Sequence, residues 1–255
     1  MLFSIVTITY NHLSGLKSTA GSLKKQICDD YEWIIIDGAS SDGTAAYLEE
    51  VSADITSEPD DGIYDAMNKG IERAQGEYVL FLNAGDTLAD DQVLFKIKER
   101  LLQEKHTPDF IYGDALESNH AGKIFYKPAR SVKRQVFGMI THHQSIFYRR
   151  DTVGDLRYDT FYQIAADYKF TSQFLKKAPG YLYIPAPLCC FEPGGVSQRQ
   201  AKQARNEQYQ IRAELSMASP LLNNAIYYIQ TVMFMLKRGL PHIYWVSRSH
   251  RNINP

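Results

Sequence analysis

Several features that would place a protein in a particular class are scarce or missing in this sequence. Its 255 residues include only three cysteines, Cys28, Cys189 and Cys190, and their spacing fits neither a disulfide framework nor a metal-ligand motif. A reducing compartment is therefore the simpler inference. No uninterrupted apolar run reaches about twenty residues, so a clear membrane-spanning helix is not expected. The apolar start is too short, and lacks the basic flank, for a signal peptide.

An excess of charge of one sign is also lacking. The chain has 28 Lys and Arg against 29 Asp and Glu, a formal net charge of −1, so its overall charge gives no reason to expect nucleic acid as a partner. The hydrophobic fraction of 44% and the charged fraction of 22% are ordinary for a globular protein with a full core. The length suits one large α/β domain or a domain with an appendage.

The first half of the chain alternates short apolar runs with amphipathic segments, a pattern typical of a parallel sheet covered by helices. Strands are predicted over residues 3–9, 32–37, 55–57, 78–82, 110–113 and 181–191. Helices are predicted over residues 13–25, 44–51, 63–74, 91–104 and 161–177. Residues 114–148 are irregular, with hairpins expected around Ala121 and Gly122 and at Gly138.

Two of the predicted strands end in loops of small residues and carboxylates. One ends at Asp37, and another is followed by Asn83, Ala84, Gly85 and Asp86. Because ligands of open α/β sheets lie at the carboxyl ends of strands, these loops suggest a nucleotide beside a divalent cation. Asp37 can accept hydrogen bonds from a base or a ribose. Asp86 can hold the cation, and Asn83 offers a neutral oxygen.

Residues 57–70 should face the same edge, and their polar side chains permit two interpretations. Asp65, Asn68 and Lys69 lie within about one turn of the predicted helix, so Lys69 can reach a phosphate, or else Asp65 and Lys69 form only a surface ion pair. Asp42 either contacts the ligand or caps the helix that follows it, and capping is favoured.

The second half contains two further candidates. His142 and His143 precede an apolar run, and adjacent side chains on a strand point to opposite faces. At most one is therefore expected in a site, where it would bind a metal, an acceptor hydroxyl or nothing. Asp167 follows two alanines at a predicted helix. It is either a general base for a hydroxyl nucleophile or a first-turn acid that favours the helix dipole.

Taken in order, these motifs resemble those of family 2 glycosyltransferases. The likeness is carried by SIVTITYN at 4–11, DGASSDGT at 37–44, GEYVLFLNAGD at 76–86 and Ala166-Asp167-Tyr168. The segment DGIYDAMNKG at 61–70 looks like the bacterial branch that builds colanic acid, O-antigen and related exopolysaccharides. The likeness covers about residues 3–197.

The resemblance implies a GT-A fold, that is, a Rossmann-like, mixed but mostly parallel sheet flanked by helices. It implies a nucleotide-sugar half at 1–113 and an acceptor half at 114–215, to which the sequence adds a C-terminal helical tail at 216–255. The implied activity is inverting transfer from a nucleotide-sugar, expected to be a UDP-sugar, in one displacement. The expected acceptor is a lipid-linked oligosaccharide of bacterial surface polysaccharide synthesis.

Residue roles follow from the same resemblance. Donor-binding residues are expected to be Thr9, Tyr10, Asn11, Asp37, Asp65, Asn68, Lys69 and Asn83. Asp86 would bind Mg²⁺ or Mn²⁺, and Asp167 would be the base that deprotonates the acceptor hydroxyl. His142 or His143 would face the acceptor or the metal. The common metal motif is Asp-x-Asp-Asp, so Asn83 and Gly85 leave one carboxylate of three, and strict metal dependence is open.

The tail has apolar residues at helical spacing from Leu221 to Leu236, followed by Lys237 and Arg238. Such a helix lies in the membrane interface, packs on the domain or forms a dimer contact. With a lipid-linked acceptor, the first option predicts a cytoplasmic protein held through residues 221–251 on the inner face of the plasma membrane. Two rival functions are transfer to polyprenyl phosphate, which needs a base less, and non-catalytic nucleotide-sugar binding.

Overall fold

A mixed β-sheet forms the centre of the chain in the structure, a computed structural model that describes residues 1–118, 124–192 and 200–239. Within these residues the strands are β1 Phe3–Thr9, β2 Tyr31–Asp37, β3 Asp54–Ser57, β4 Tyr78–Phe81, β5 Thr87–Leu88, β6 Phe110–Ser118, β7 Ile124–Lys127, β8 Ile146–Arg149 and β9 Tyr181–Phe191. The helices are α1 Leu13–Lys24, α2 Thr44–Leu48, α3 Ile63–Arg73, α4 Val93–Gln103, α5 Arg150–Val153, α6 Ala166–Lys177, α7 Ala201–Glu214 and α8 Pro220–Gly239. Two 3₁₀ helices cover Val132–Phe137 and His143–Ser145.

The strand order is β3-β2-β1-β4-β8-β6-β9-β5, and β7 pairs with the outer part of β6. Strands β3, β2, β1 and β4 are parallel to one another, and β6 is parallel to β9. Strand β8 runs antiparallel to both of its neighbours, and β5 and β7 are also antiparallel to theirs. Six of the nine described strands therefore share one direction, which confirms the predicted α/β class and mostly parallel sheet.

The central strands are apolar on both faces because each face is covered. All seven residues of β1 are buried, as are all four of β4. Along β4, Val79 and Phe81 belong to one core cluster, whereas Tyr78 and Leu80 belong to the other. This alternation follows the pleat of the strand, and continuous apolar runs are expected of parallel strands buried on both sides.

Most predicted elements are confirmed to within a few residues, but two expectations in the second half need correction. Helix α6 begins at Ala166, five residues later than predicted, because Asp159 closes a turn by accepting from the N–H of Phe161. Gly138 ends a 3₁₀ helix, with φ at 115°, and forms no hairpin. The hairpin tip at Ala121 and Gly122 lies outside the described residues, although β6 and β7 on either side of it pair antiparallel.

The predicted tail helix is present and packs on one side against α7. The Asn223 side chain accepts from Arg212 Nε at 2.6 Å and donates to the Tyr209 carbonyl at 3.0 Å, while Ile226 is buried. The opposite side of α8 is exposed. Among the described residues no helix is both long enough and apolar enough to cross a membrane. All three cysteines are free thiols.

Candidate active site

The carboxyl ends of β1, β2 and β4 bring the first-half candidates to one edge of the sheet. Gly38 N–H donates to the Thr9 carbonyl, and Ala84 N–H donates to the Ile8 carbonyl, each at 3.0 Å. The end of β1 therefore lies between the loop after Asp37 and the loop that contains Asn83 and Asp86. Neighbouring strands lie about 4.8 Å apart, so the two loops are roughly two strand spacings from each other.

Asp37 is fully buried at this edge. Its carboxylate accepts from Ser40 N–H at 3.1 Å, from Ser57 Oγ at 2.6 Å and from Ser40 Oγ. These bonds fix the loop after β2 against the end of β3. The side chain thus shapes the loop, and direct contact of its carboxylate with a base stays a prediction.

The residues after β1 are arranged beside this loop. Thr9 is buried and its Oγ1 has no hydrogen-bond partner, whereas Tyr10 is 66% exposed. Asn11 has φ at 48° and accepts from Ser41 N–H at 2.8 Å. A Cβ added to Gly38 would approach the Tyr10 ring to 3.2 Å, so the exposed ring lies close to the backbone after Asp37. These positions suit a planar ligand beside the loop.

The candidates on α3 have partners within the protein. Lys69 Nζ lies 2.8 Å from a Glu58 oxygen and 3.6 Å from an Asp65 oxygen. The hydrogen bond to Glu58 raises the pKa of Lys69. The Asn68 carboxamide donates to the Tyr158 carbonyl and accepts from the Tyr158 N–H. Lys69 therefore forms the surface ion pair in this structure, and Asn68 joins α3 to the segment before α6.

Asp42 has the capping role. Its carboxylate accepts from the N–H of Leu13, the first residue of α1, at 2.9 Å. The other oxygen accepts from Thr44 N–H, the first residue of α2, at 3.1 Å. Capping of this kind satisfies N–H groups that have no partner within a helix. The favoured interpretation of Asp42 is confirmed, and it extends to two helices.

Asp86 is the buried acid of the loop after β4, with 4% of its surface exposed. One carboxylate oxygen accepts from Glu192 N–H at 2.9 Å, and the other accepts from Gln144 Nε2 at 2.6 Å. Burial raises the pKa of Asp86 to about 6, although both hydrogen bonds act in the opposite direction. A carboxylate held in so little water gains from a nearby positive charge.

His143 connects the second-half candidates to this loop. Its Nδ1 lies 3.5 Å from Asp167 Oδ2, and its Nε2 lies 3.3 Å from Asn83 Nδ2. Asp167 is in the first turn of α6, and its side chain is 21% exposed. Because His143 contacts Asp167 while the next residue, Gln144, contacts Asp86, the two acids lie around one short 3₁₀ helix.

The histidine pair is not at a strand start as expected. His143 begins a 3₁₀ helix, and His142 points elsewhere, stacking on Phe191 at 4.4 Å between ring centroids. Its Nε2 lies 2.8 Å from a Glu117 oxygen. Burial, with a further contribution from Lys127, lowers the pKa of His142 to about 4, so this ring is neutral at pH 7. Only His143 of the pair contacts Asp167.

The oxygen atoms around Asp86 fit a hard divalent cation that is shared with a ligand. Asn83 Oδ1 and Gln144 Oε1 are buried and have no hydrogen-bond partner. Within the described ranges, no three His, Cys, Asp or Glu side chains form a group that could hold an ion without help. Mg²⁺ is commonly bound by one or two carboxylates together with substrate phosphates and water, so this set fits a site completed by a diphosphate.

Sequence reasoning did not identify two residues of this site. Gln144 adjoins the histidine pair in the sequence, which is the only local signal for it. Glu192 reaches Asp86 from the end of β9, more than a hundred residues away along the chain. No spacing rule finds such a contact, because it depends on the order of the strands.

Known proteins resemble this chain in sequence and in fold. The profile of glycosyl transferase family 2 matches residues 4–157. A PGL/p-HBAD biosynthesis glycosyltransferase of Mycobacterium bovis (strain BCG / Pasteur 1173P2) is 31% identical over 176 residues, 66% of this chain and 68% of that protein.

Two solved structures share the fold at low sequence identity. S. aureus TarS 1-349 superimposes with a TM-score of 0.66 at 17% identity, covering 94% of this chain and 74% of TarS 1-349. The same TarS fragment has also been solved in complex with UDP-GlcNAc. The mannosyltransferase PcManGT from Pyrobaculum calidifontis, in complex with GDP-Man and Mn²⁺, gives 0.66 at 13% identity and covers 96% and 78%.

Proposed function

Since this chain belongs to glycosyl transferase family 2 and is a glycosyltransferase with a GT-A fold, we propose that it is an inverting enzyme. It would move a sugar from a nucleotide-sugar, a UDP-sugar by our proposal, to a hydroxyl of a lipid-linked oligosaccharide in bacterial surface polysaccharide synthesis. The complex of TarS with UDP-GlcNAc supports the donor class. The name of the M. bovis relative, a biosynthesis glycosyltransferase for PGL/p-HBAD, supports a role in glycan assembly.

One observation carries the proposal: Asp167, at the start of α6, is linked through His143 and Gln144 to the loop of Asn83 and Asp86. A partly exposed carboxylate beside a diphosphate site can take the proton from an acceptor hydroxyl. As the hydroxyl oxygen bonds to the anomeric carbon, the bond from that carbon to the diphosphate breaks. A single displacement of this kind inverts the anomeric centre.

The remaining assignments place the donor along the edge of the sheet. The segment from Thr9 to Asn11 and the Asp37 loop would receive the nucleoside, supported by the exposed Tyr10 ring and the unpartnered Thr9 hydroxyl. Asp86 and Asn83 would hold Mg²⁺ or Mn²⁺ together with the diphosphate. The cation would offset the negative charge of the leaving diphosphate. Residues 1–113 would form the donor half, 114–215 the acceptor half and 216–255 the tail.

Asp65, Asn68 and Lys69 either bind the donor or have a structural role, and their present contacts within the protein indicate the structural role. For Lys69 to meet a phosphate, its ammonium group would have to leave Glu58, which is exposed, and Asp65, which is partly exposed; the negative charge of the phosphate can compensate for both. Lys69 therefore stays a proposed donor contact. Asn68 is a less favoured donor contact, because its side-chain nitrogen and oxygen are both hydrogen-bonded to the backbone of Tyr158.

A membrane surface is the proposed location, on the cytoplasmic side of the plasma membrane. The outward side of α8 consists of exposed apolar residues, namely Leu221, Leu222, Tyr228, Ile229, Val232, Met233, Met235 and Leu236. No acidic residue follows Glu214 in the sequence, while Lys237, Arg238, Arg248 and Arg251 do. An apolar helix side with basic residues nearby suits the interface of an anionic bilayer.

Release of nucleoside diphosphate from a panel of UDP-, GDP- and dTDP-sugars, measured with and without Mn²⁺, tests the donor proposal. We expect release from a UDP-sugar, and NMR of the product should show an inverted anomeric configuration. Retention of configuration would refute the single displacement. Saturable binding of UDP-sugar with no release, in the presence of membrane lipid extract as acceptor, would instead favour the non-catalytic binding protein.

A further inference from the structure

Glu192 lies over the loop after β4, in contact with the residues that surround Asp86. Its N–H donates to Asp86 Oδ1 at 2.9 Å. Its carboxylate occupies the space beside Gly85, because a Cβ added to Gly85 would overlap Glu192 Oε2. Gly85 has φ at 99°, a backbone conformation that glycine adopts readily. Because Gly85 has no side chain, the Glu192 carboxylate, which follows β9, has room beside it.

The setting of this carboxylate is acidic and half open to solvent. The Glu192 side chain is 47% exposed, and His12, whose Nε2 lies 3.6 Å from Glu192 Oε2, is 38% exposed. An ion pair this exposed contributes little to stability. A cation beside these two carboxylates would be stabilised by both negative charges.

Two buried amide oxygens, of Gln144 and Asn83, give evidence for a ligand that does not depend on Asp86 or Glu192. Gln144 is 2% exposed. Its Nε2 donates to Asp86, yet its Oε1 has no partner. Asn83 Oδ1 is likewise buried without a partner. Buried acceptors that lack a donor are uncommon in proteins, and neutral oxygens of this kind are among the ligands that hard divalent cations accept.

We propose that Glu192 supplies the second carboxylate of the divalent-cation site, in the space left open by Gly85 and beside Asp86. The inference rests on the proposed function, which provides the diphosphate that completes the coordination shell. One or two carboxylates, neutral oxygens, phosphate oxygens and water form the type of shell that Mg²⁺ uses. In the absence of the cation, Glu192 pairs with His12.

Mn²⁺ binding to the full chain tests this assignment without relying on turnover. Mn²⁺ is titrated into protein that is saturated with UDP, and free Mn²⁺ is followed by its electron paramagnetic resonance signal. Glu192→Gln keeps the backbone N–H that Asp86 accepts and removes only the charge. We expect the dissociation constant of Mn²⁺ to rise at least about tenfold. Glu77→Gln, at the opposite end of β4, is the matched control and should leave the constant unchanged.

Three outcomes separate the possibilities. An unchanged Mn²⁺ affinity in Glu192→Gln, with wild-type protein binding Mn²⁺ and UDP, overturns the role of Glu192 alone. If wild-type protein binds UDP but no Mn²⁺, the cation part of the proposed function fails as well. His12→Gln removes the ion pair and keeps the carboxylate, so a rise in the dissociation constant equal to that of Glu192→Gln would also overturn the assignment.

Discussion

At the scale of single residues, the ionised form of Asp86 is costly in the absence of a cation. Burial raises its pKa from 3.8 to about 6, so the folded protein binds this proton more tightly than the unfolded chain. Stability contributed by the protonated form is therefore present below about pH 4. It is lost as pH rises through about 6, where the cost of the buried charge reaches roughly 3 kcal/mol.

The substitution Asp86→Asn should remove this cost. Its new amide oxygen can accept from Glu192 N–H, and its new amide nitrogen can donate to Gln144 Oε1, which lacks a partner, once the Gln144 amide rotates. In chelator, urea denaturation should show a free energy of unfolding higher than wild type by up to about 3 kcal/mol at pH 7.5, and by far less at pH 4. An equal difference at both pH values would show that ionisation of Asp86 is not the cause.

Residue identity predicted much of this site, but not its contacts. Asp37, Asp86 and Asp167 stand out because each carboxylate ends a strand, follows one or begins a helix; the structure has Asp37 at the end of β2, Asp86 in the loop after β4 and Asp167 in the first turn of α6, and their roles stay predictions. The roles of Gln144 and Glu192 could not be predicted, since both depend on β8 and β9 lying beside strands that are distant in sequence. His142 and His143 were expected to point to opposite faces of a strand; their rings do have different partners, but His143 begins a 3₁₀ helix and lies in no strand.

At the scale of elements, a carboxylate from α7 holds the segment that leads into α6. Glu207 is buried and accepts from the N–H groups of Ile164 at 2.9 Å and Ala165 at 2.8 Å, with Gln163 at 3.3 Å. Ala165, the N-cap residue of α6, has no side-chain cap of its own. Glu207 therefore fixes the backbone immediately before Asp167, and α7 positions the proposed base.

We expect Glu207→Gln to lower the free energy of unfolding by roughly 2 kcal/mol, since charge-assisted hydrogen bonds to backbone N–H groups are lost. If Asp167 is also displaced, kcat should fall several-fold while the KM for the donor changes little. Steady-state kinetics well below the melting temperature measure both values. Lys202→Gln, an exposed change on the same helix, is the control. An unaltered kcat would limit Glu207 to a role in stability.

The late start of α6 illustrates what a sequence pattern omits. Helical spacing of apolar residues extends back to Phe161, but the turn closed by Asp159 and the three N–H groups taken by Glu207 give residues 159–165 other partners. Tertiary hydrogen bonds thus decide the boundary against local preference. By contrast, β1 and β2 match their predicted limits closely, because a buried apolar run can satisfy its backbone only in the sheet.

At the scale of the whole molecule, the exposed apolar side of α8 is the surface that we propose to contact a membrane. Wild-type protein should sediment with phosphatidylglycerol vesicles more than with phosphatidylcholine vesicles, and less at high salt, because anionic headgroups attract the basic tail. The double change Ile229→Asp and Val232→Asp should abolish sedimentation. Leu102→Asp, at a 75% exposed position of α4, is the matched control.

Size-exclusion chromatography distinguishes the other occupants of this surface. If wild-type protein is a dimer that the double change converts to a monomer, without any binding to vesicles, α8 is a contact between two copies. Vesicle binding that is equal in wild type, double variant and control would show that the exposed side of α8 does not contact the membrane.

We propose that Asp167 removes the proton from the acceptor hydroxyl at a site shared with Asn83 and Asp86. The most direct measurement compares wild type and Asp167→Asn for turnover of the donor and acceptor and for the dissociation constant of the donor. We expect transfer to fall by at least about a hundredfold, with donor binding largely intact. Near-normal turnover in Asp167→Asn would show that Asp167 is not the base and would favour an anionic acceptor, such as polyprenyl phosphate, that needs no base.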